Sequence, residues 1–110
     1  MKLAAAFVLA LAFVGAPPAM AEDTPQFEIV IKEHAFVPAV LEVPANKKIK
    51  LLVKNQDPTP EEFESYELNR EKVIAGNSQA IIFIGPLEPG TYPFFGDFNP
   101  STAQGKIIAK

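Results

Sequence analysis

A two-sheet Greek-key β-sandwich of about seven or eight short strands, all-β with at most a short helix near residues 60–66, is the fold this sequence predicts. Three observations carry that prediction. Short apolar stretches alternate with a period of two, which is the period of a half-buried strand. Turn-forming dipeptides and eleven prolines separate them at close intervals, and no long stretch sustains a helical period. The run Leu87-Glu88-Pro89-Gly90-Thr91-Tyr92 has the L-x-x-G-x-Y spacing of a tyrosine corner, in which the phenol bonds back to the backbone just upstream. That device belongs to Greek-key sandwiches.

The first element is an address. Lys2 gives a short positive start, residues 3–15 are apolar or small, and Ala19-Met20-Ala21 is an A-x-A site for signal peptidase. The apolar run is shorter than the about 20 residues a membrane-crossing helix needs. Residues 1–21 therefore read as a signal peptide and residues 22–110 as one exported, periplasmic domain that does not span the membrane. In residues 27–31, Phe27, Ile29 and Ile31 share a face, and Leu41 and Val43 repeat the pattern before Pro44. In residues 47–53, Ile49, Leu51 and Val53 point one way and Lys48, Lys50 and Leu52 the other. Further strands are expected at 71–74, 79–84, 90–95 and 105–109. Between them stand the turn signals Pro44-Ala45-Asn46, Asp57-Pro58, Ala75-Gly76-Asn77, Pro89-Gly90 and Asn99-Pro100. Thr59-Pro60-Glu61-Glu62 has the capping-box pattern of a helix start, so one or two helical turns are expected there.

Composition narrows the function. The chain has no cysteine, so an oxidising compartment offers it no disulfide, and stability rests on packing. Loss of Lys2 leaves nine basic against thirteen acidic side chains, a net charge near −4. Such a balance argues against nucleic acid, which needs clustered positive charge, and suits cations or a basic partner. No cysteine nucleophile, Ser/His/Asp pattern or glycine-rich phosphate loop is present, so no enzyme is expected.

Three pieces stand in a recognisable order: Phe36-Val37-Pro38 with Leu41-Glu42-Val43-Pro44; the expected strand 49–55 leading to Pro60-Glu61-Glu62-Phe63; and Gly90-Thr91-Tyr92-Pro93-Phe94-Phe95-Gly96 with Gly105-Lys106-Ile107-Ile108. Together they resemble the cupredoxins, the small blue-copper sandwich family. The stretches "NQDPTPEEFESYELNREKVI" and "GPLEPGTYPFFGDF" resemble more closely the cupredoxin-like domain of the EfeO type. That resemblance implies a periplasmic role in bacterial iron uptake beside a membrane iron permease or another periplasmic component, with an iron or copper ion as ligand. A blue-copper loop reads Tyr-x-Phe-x-Cys-x-x-His, with a methionine shortly before a glycine. Here Tyr92 and Phe94 match, but Gly96 stands at the cysteine, Asn99 at the second histidine, and Ala103 or Gln104 at the methionine. The first histidine position is Glu61. The iron-linked subgroup often has histidine where this chain has Tyr66 and Asn99. Blue copper depends on a thiolate with two imidazoles, so this chain is not a blue-copper electron carrier.

The remaining candidate metal ligands are His34, Glu61, Glu62, Glu64 and Asp97. His34, the single histidine, is either a solvated loop residue or, beside Glu61 in the implied fold, part of a mixed imidazole–carboxylate site. The glutamates are either helix-cap residues stabilised at a helix N-terminus or ligands, Glu61 by its inherited position and Glu62 or Glu64 assisting. Asp97 either completes an oxygen-rich site or bonds the turn backbone. The expected function is weak binding of Fe or Cu(II) at these residues. The alternative is a metal-free sandwich that docks on a membrane permease or other periplasmic partner.

Overall fold

Every second side chain in most of the strands is apolar, and closing two such faces on each other gives one shared core. The computed structural model describes residues 24–110; the expected leader and its cleavage site lie outside them. Nine strands follow in order: β1 (Gln26–Lys32), β2 (Ala35–Val37), β3 (Val40–Val43), β4 (Ile49–Asn55), β5 (Glu61–Ser65), β6 (Arg70–Ile74), β7 (Ser78–Ile84), β8 (Gly90–Gly96) and β9 (Gln104–Ala109). One sheet has the order β2-β1-β4-β7, the other β3-β9-β8-β5-β6. The β1–β4 and β3–β9 pairs are parallel and the rest antiparallel. The sandwich predicted from alternation is the sandwich observed, with no helix among the described residues.

The core is drawn from the predicted faces: Ile29 and Ile31 of β1, Leu41 and Val43 of β3, and Ile49, Leu51 and Val53 of β4 are all buried. Phe36, Phe63 and Phe94 form an aromatic group between the sheets. Phe63 stacks on Phe94 at 4.9 Å, and Phe36 meets both rings edge-on. The tyrosine corner is present: Tyr92 Oη donates to the Glu88 carbonyl at 2.8 Å.

Two strands go beyond the sequence reading. β2 is only three residues long and is joined to β1 by a two-residue turn, Glu33-His34, with φ of 52° and 57°. The left-handed conformation costs non-glycine residues energy, and Asp57 offsets it by accepting both turn N–H groups, at 2.8 and 2.9 Å. The second correction concerns the expected helix at 60–66, where the structure has β5. A capping box is worth about 1 kcal/mol, whereas extended chain here turns Phe63 into the core. Burying a phenylalanine contributes roughly 1.5–3 kcal/mol, and β5 also gains ladders with β6 on one side and β8 on the other. Asn55 holds the entry: its Nδ2 donates to the carbonyls of Thr59 and Ile74 at 2.8 and 3.1 Å.

Candidate functional site

β5 alternates across its sheet, so its five residues face two different surroundings. Glu61, Phe63 and Ser65 point inward, and Glu62 and Glu64 point to the outer face.

The inward group centres on Glu61, which is 1% exposed. One carboxylate oxygen accepts the backbone N–H groups of Glu62 and Phe98, at 3.0 and 2.9 Å, and the other accepts Asn99 Nδ2 at 2.7 Å. The turn after β8 is closed by its own backbone: Gly96 N–H donates to Ala103 O at 2.8 Å and Ala103 N–H to Asn99 O at 2.9 Å. A Cβ placed on Gly96 would stand 2.7 Å from the Glu61 carboxyl carbon and 2.6 Å from the Ala103 Cβ. Positions 61, 96 and 99, which the resemblance equates with the cysteine and two histidines of a blue-copper centre, and Ala103, one of the two positions it offers for the methionine, therefore still converge. The Glu61 carboxylate fills the point of convergence and takes its charge compensation from three N–H donors. A thiolate, two imidazoles and a thioether are all missing, and the space is taken, so a copper ion of the blue type does not fit.

His34 lies at the same end, since its carbonyl accepts the Thr102 hydroxyl at 2.5 Å. Its ring, however, is turned to Asp57, with Nδ1 3.6 Å from Oδ2. No hydrogen bond or ion pair joins it to Glu61 among the described residues. The N–H bond from His34 is the main reason the Asp57 carboxyl lies below its ordinary value, helped by the N–H of Glu33 and the His34 charge and opposed by burial.

The outward group is different in kind. Carboxylate oxygens of Glu62, Glu64 and Asp97 lie within 4.8 Å of one another, and the strand register places Glu71 of β6 directly opposite Glu64. Asp97 is held in place through its backbone N–H, which donates to Glu62 O at 3.0 Å. Glu62 is 7% exposed, yet no lysine or arginine pairs with its carboxylate and no N–H donates to it among the described residues. Burial pushes its carboxyl up to about 7, with a contact to Glu71 and the charges of Glu71, Asp97 and Glu64 adding to the effect. Like charges placed directly across a strand pair are destabilising, so the cluster is held together at a cost that a multivalent cation would relieve.

The structure thus brings Glu62, Glu64 and Asp97 together, sets Glu61 apart on the inner face, and leaves His34 with Asp57. Sequence reasoning missed Glu71, because its opposition to Glu64 exists only if residues 61–65 form a strand. It also missed Asp57, whose partners are 23 and 24 residues away. The β-alternation of Glu61, Phe63 and Ser65 was the signal available for the first.

Comparison with known proteins agrees with this geometry. A model described as "Cupredoxin-like domain" matches residues 4–109. An uncharacterized protein of Rickettsia prowazekii (strain Madrid E) is 49% identical over 83 residues, 76% of this chain and 66% of that protein, so the chain spans about two thirds of its relative's length. Among solved structures, the metal-binding domain of the Cu(I)-exporting P-type ATPase of Streptococcus pneumoniae D39 superposes with a TM-score of 0.69 at 15% identity, over 77% of this chain and 84% of that one. Auracyanin A, a blue copper protein of Chloroflexus aurantiacus, gives 0.67 at 16% identity, over 77% and 98%. At such identities the likeness concerns the fold.

Proposed function

Because the chain belongs to the cupredoxin-like domain family and its inherited copper position is filled by Glu61, we propose that it is a periplasmic accessory protein of a bacterial iron-uptake system. In this reading it carries iron on the outer-face carboxylates Glu62, Glu64 and Asp97 and presents it to a membrane iron permease. The observation that supports this most is the convergence of three carboxylates around a buried Glu62 that has no cationic partner. An all-oxygen donor set suits hard cations, and it does not suit Cu(I), which prefers thiolate and thioether ligands. The compartment in this reading comes from the signal peptide expected from the sequence of residues 1–21, and the pathway from the resemblance to the iron-linked cupredoxins. The rival reading, a metal-free module that docks on a permease, draws on the filled centre at Glu61.

Titration decides between them. Residues 22–110 are titrated with Fe(II), Fe(III) citrate, Cu(II) and Cu(I) while heat and melting temperature are followed. A ligand that binds only the native state must stabilise it, by about 2.7 kcal/mol at one hundred times Kd. The expected result is a rise in melting temperature with iron that disappears in Glu62→Gln/Glu64→Gln and persists in His34→Ala. Absence of any rise with iron, or a rise unchanged in the double variant, overturns the site.

A further inference from the structure

The molecule's second unassigned feature lies on the outer face of the other sheet. There the register sets Gln26, Lys50 and Phe83 in one row and Glu28, Leu52 and Ile81 in the next. Ile81 is 48% and Phe83 44% exposed, and three cations surround the Phe83 residue. Lys48 Nζ stands 4.5 Å from its ring centroid, Lys50 is its directly opposed neighbour, and Arg70 Nε donates to its carbonyl at 2.7 Å. Neither lysine forms an ion pair among the described residues, and the Arg70 guanidinium is engaged by the backbone carbonyls of Phe83, Asn69 and Leu68; Lys54, two residues along β4 from Leu52, is paired with Glu28 at 3.3 Å.

We infer that this face, centred on Phe83 with Lys48 and Lys50, is a contact for an anionic phospholipid surface. Three arguments carry it. An aromatic ring standing beside two unpaired ammonium groups matches what a headgroup layer offers, since the ring enters the apolar boundary while the ammonium groups meet phosphate. The cations gather here although the domain is acidic overall, and Glu62, Glu64, Glu71 and Asp97 lie on the outer face of the opposite sheet, so approach in the reverse orientation is repelled. An open sheet face suits a flat, fluid surface better than a single acidic peptide, which would be held by a groove.

The inference does not rest on iron binding, and its test is kept separate. Residues 22–110 are sedimented with vesicles of phosphatidylglycerol and phosphatidylcholine in equal parts, or of phosphatidylcholine alone. A chelator is present so that no cation bridges the acidic cluster to lipid. The expected result is binding to the anionic vesicles alone, lost in 0.5 M salt, where the Debye length falls to about 4 Å. Lys48→Glu and Lys50→Glu should each lower partitioning roughly 20- to 30-fold, because each basic residue near the surface is worth ~1 kcal/mol and reversal counts twice. Phe83→Ser should weaken binding with the circular dichroism spectrum unchanged. No binding to anionic vesicles, equal binding to both, binding to soluble poly-glutamate but not to vesicles, or undiminished binding by folded lysine variants overturns it.

Discussion

Replacing Glu61 by alanine tests whether a carboxylate now organises the loop in place of a metal. The substitution removes the acceptor for three donors, the N–H groups of Glu62 and Phe98 and the Asn99 amide. A hydrogen bond to a charged group contributes about 1.5–3 kcal/mol. Phe98 is 47% exposed, so its N–H recovers part of its loss from water, as does the half-buried Asn99. Counting one full bond and two partial ones gives a cost of about 3–4 kcal/mol, or roughly 12–30 °C in melting temperature for a domain of this size. Glu61→Gln is the control. Its amide oxygen keeps both backbone N–H bonds, and Asn99 can turn its own oxygen toward the new amide, so only the charge assistance is lost, about 1 kcal/mol. Urea unfolding of the three proteins, with slopes compared so that stability is separated from compactness, gives the result. If alanine costs less than 1 kcal/mol, or no more than glutamine, the carboxylate does not organise the loop.

Three further outcomes are expected. Tyr92→Phe removes the hydroxyl that donates to Glu88 O and should cost about 1 kcal/mol by chemical unfolding, because the bond is exposed and water replaces part of it. Glu62 takes up its proton more readily in the folded state, at about 7 against an ordinary 4.5; its contribution to stability is full below about 4.5 and is lost as pH rises through about 7. Glu62→Gln should flatten the stability curve across that window. Asp57 is shifted the other way from 3.8, so its contribution is present above 3.8 and is lost as pH falls through its lower folded value. Asp57→Asn should therefore remove part of the acid-side decline.

Most of the fold was legible because its signals are local. The period-two faces of β1, β3 and β4 and the spacing of the tyrosine corner each lie within a few residues, and each is where the alternation puts it. β5 was hidden because a local signal pointed the wrong way: Thr59-Pro60-Glu61-Glu62 satisfies a helix start, and only contacts with β6 and β8, distant in sequence, override it. The candidate site inherited that error. Once Glu61 and Glu62 belong to a strand they face opposite sides of the sheet, so one ion cannot take both side chains as ligands. His34 lies near the 96–104 loop through the bond of its carbonyl to Thr102, but its ring faces Asp57, a partner fixed by a turn conformation that no residue pattern announces.

The last prediction asks how much of the copper geometry survives in the loop. Gly96→Cys alone should fold poorly, because a Cβ at that position meets the Glu61 carboxyl carbon at 2.7 Å and the Ala103 Cβ at 2.6 Å. The first contact is with a side chain and is relieved by Glu61→His. The second is with a methyl group fixed to a backbone whose carbonyl accepts the Gly96 N–H, so the two segments must separate by several tenths of an ångström. The triple variant Glu61→His/Gly96→Cys/Asn99→His should consequently fold with reduced stability. It should bind Cu(II) with weak thiolate-to-copper colour, since three ligands would converge without an axial thioether. The parent chain, with no cysteine, should give only a pale oxygen- and nitrogen-ligated spectrum with the same ion. An intense blue band from the parent would contradict the ligand argument outright. A triple variant that folds, binds Cu(II) and stays colourless would show that Gly96 no longer points at the centre, and that the loop was rebuilt around Glu61 as well as emptied of its ligands.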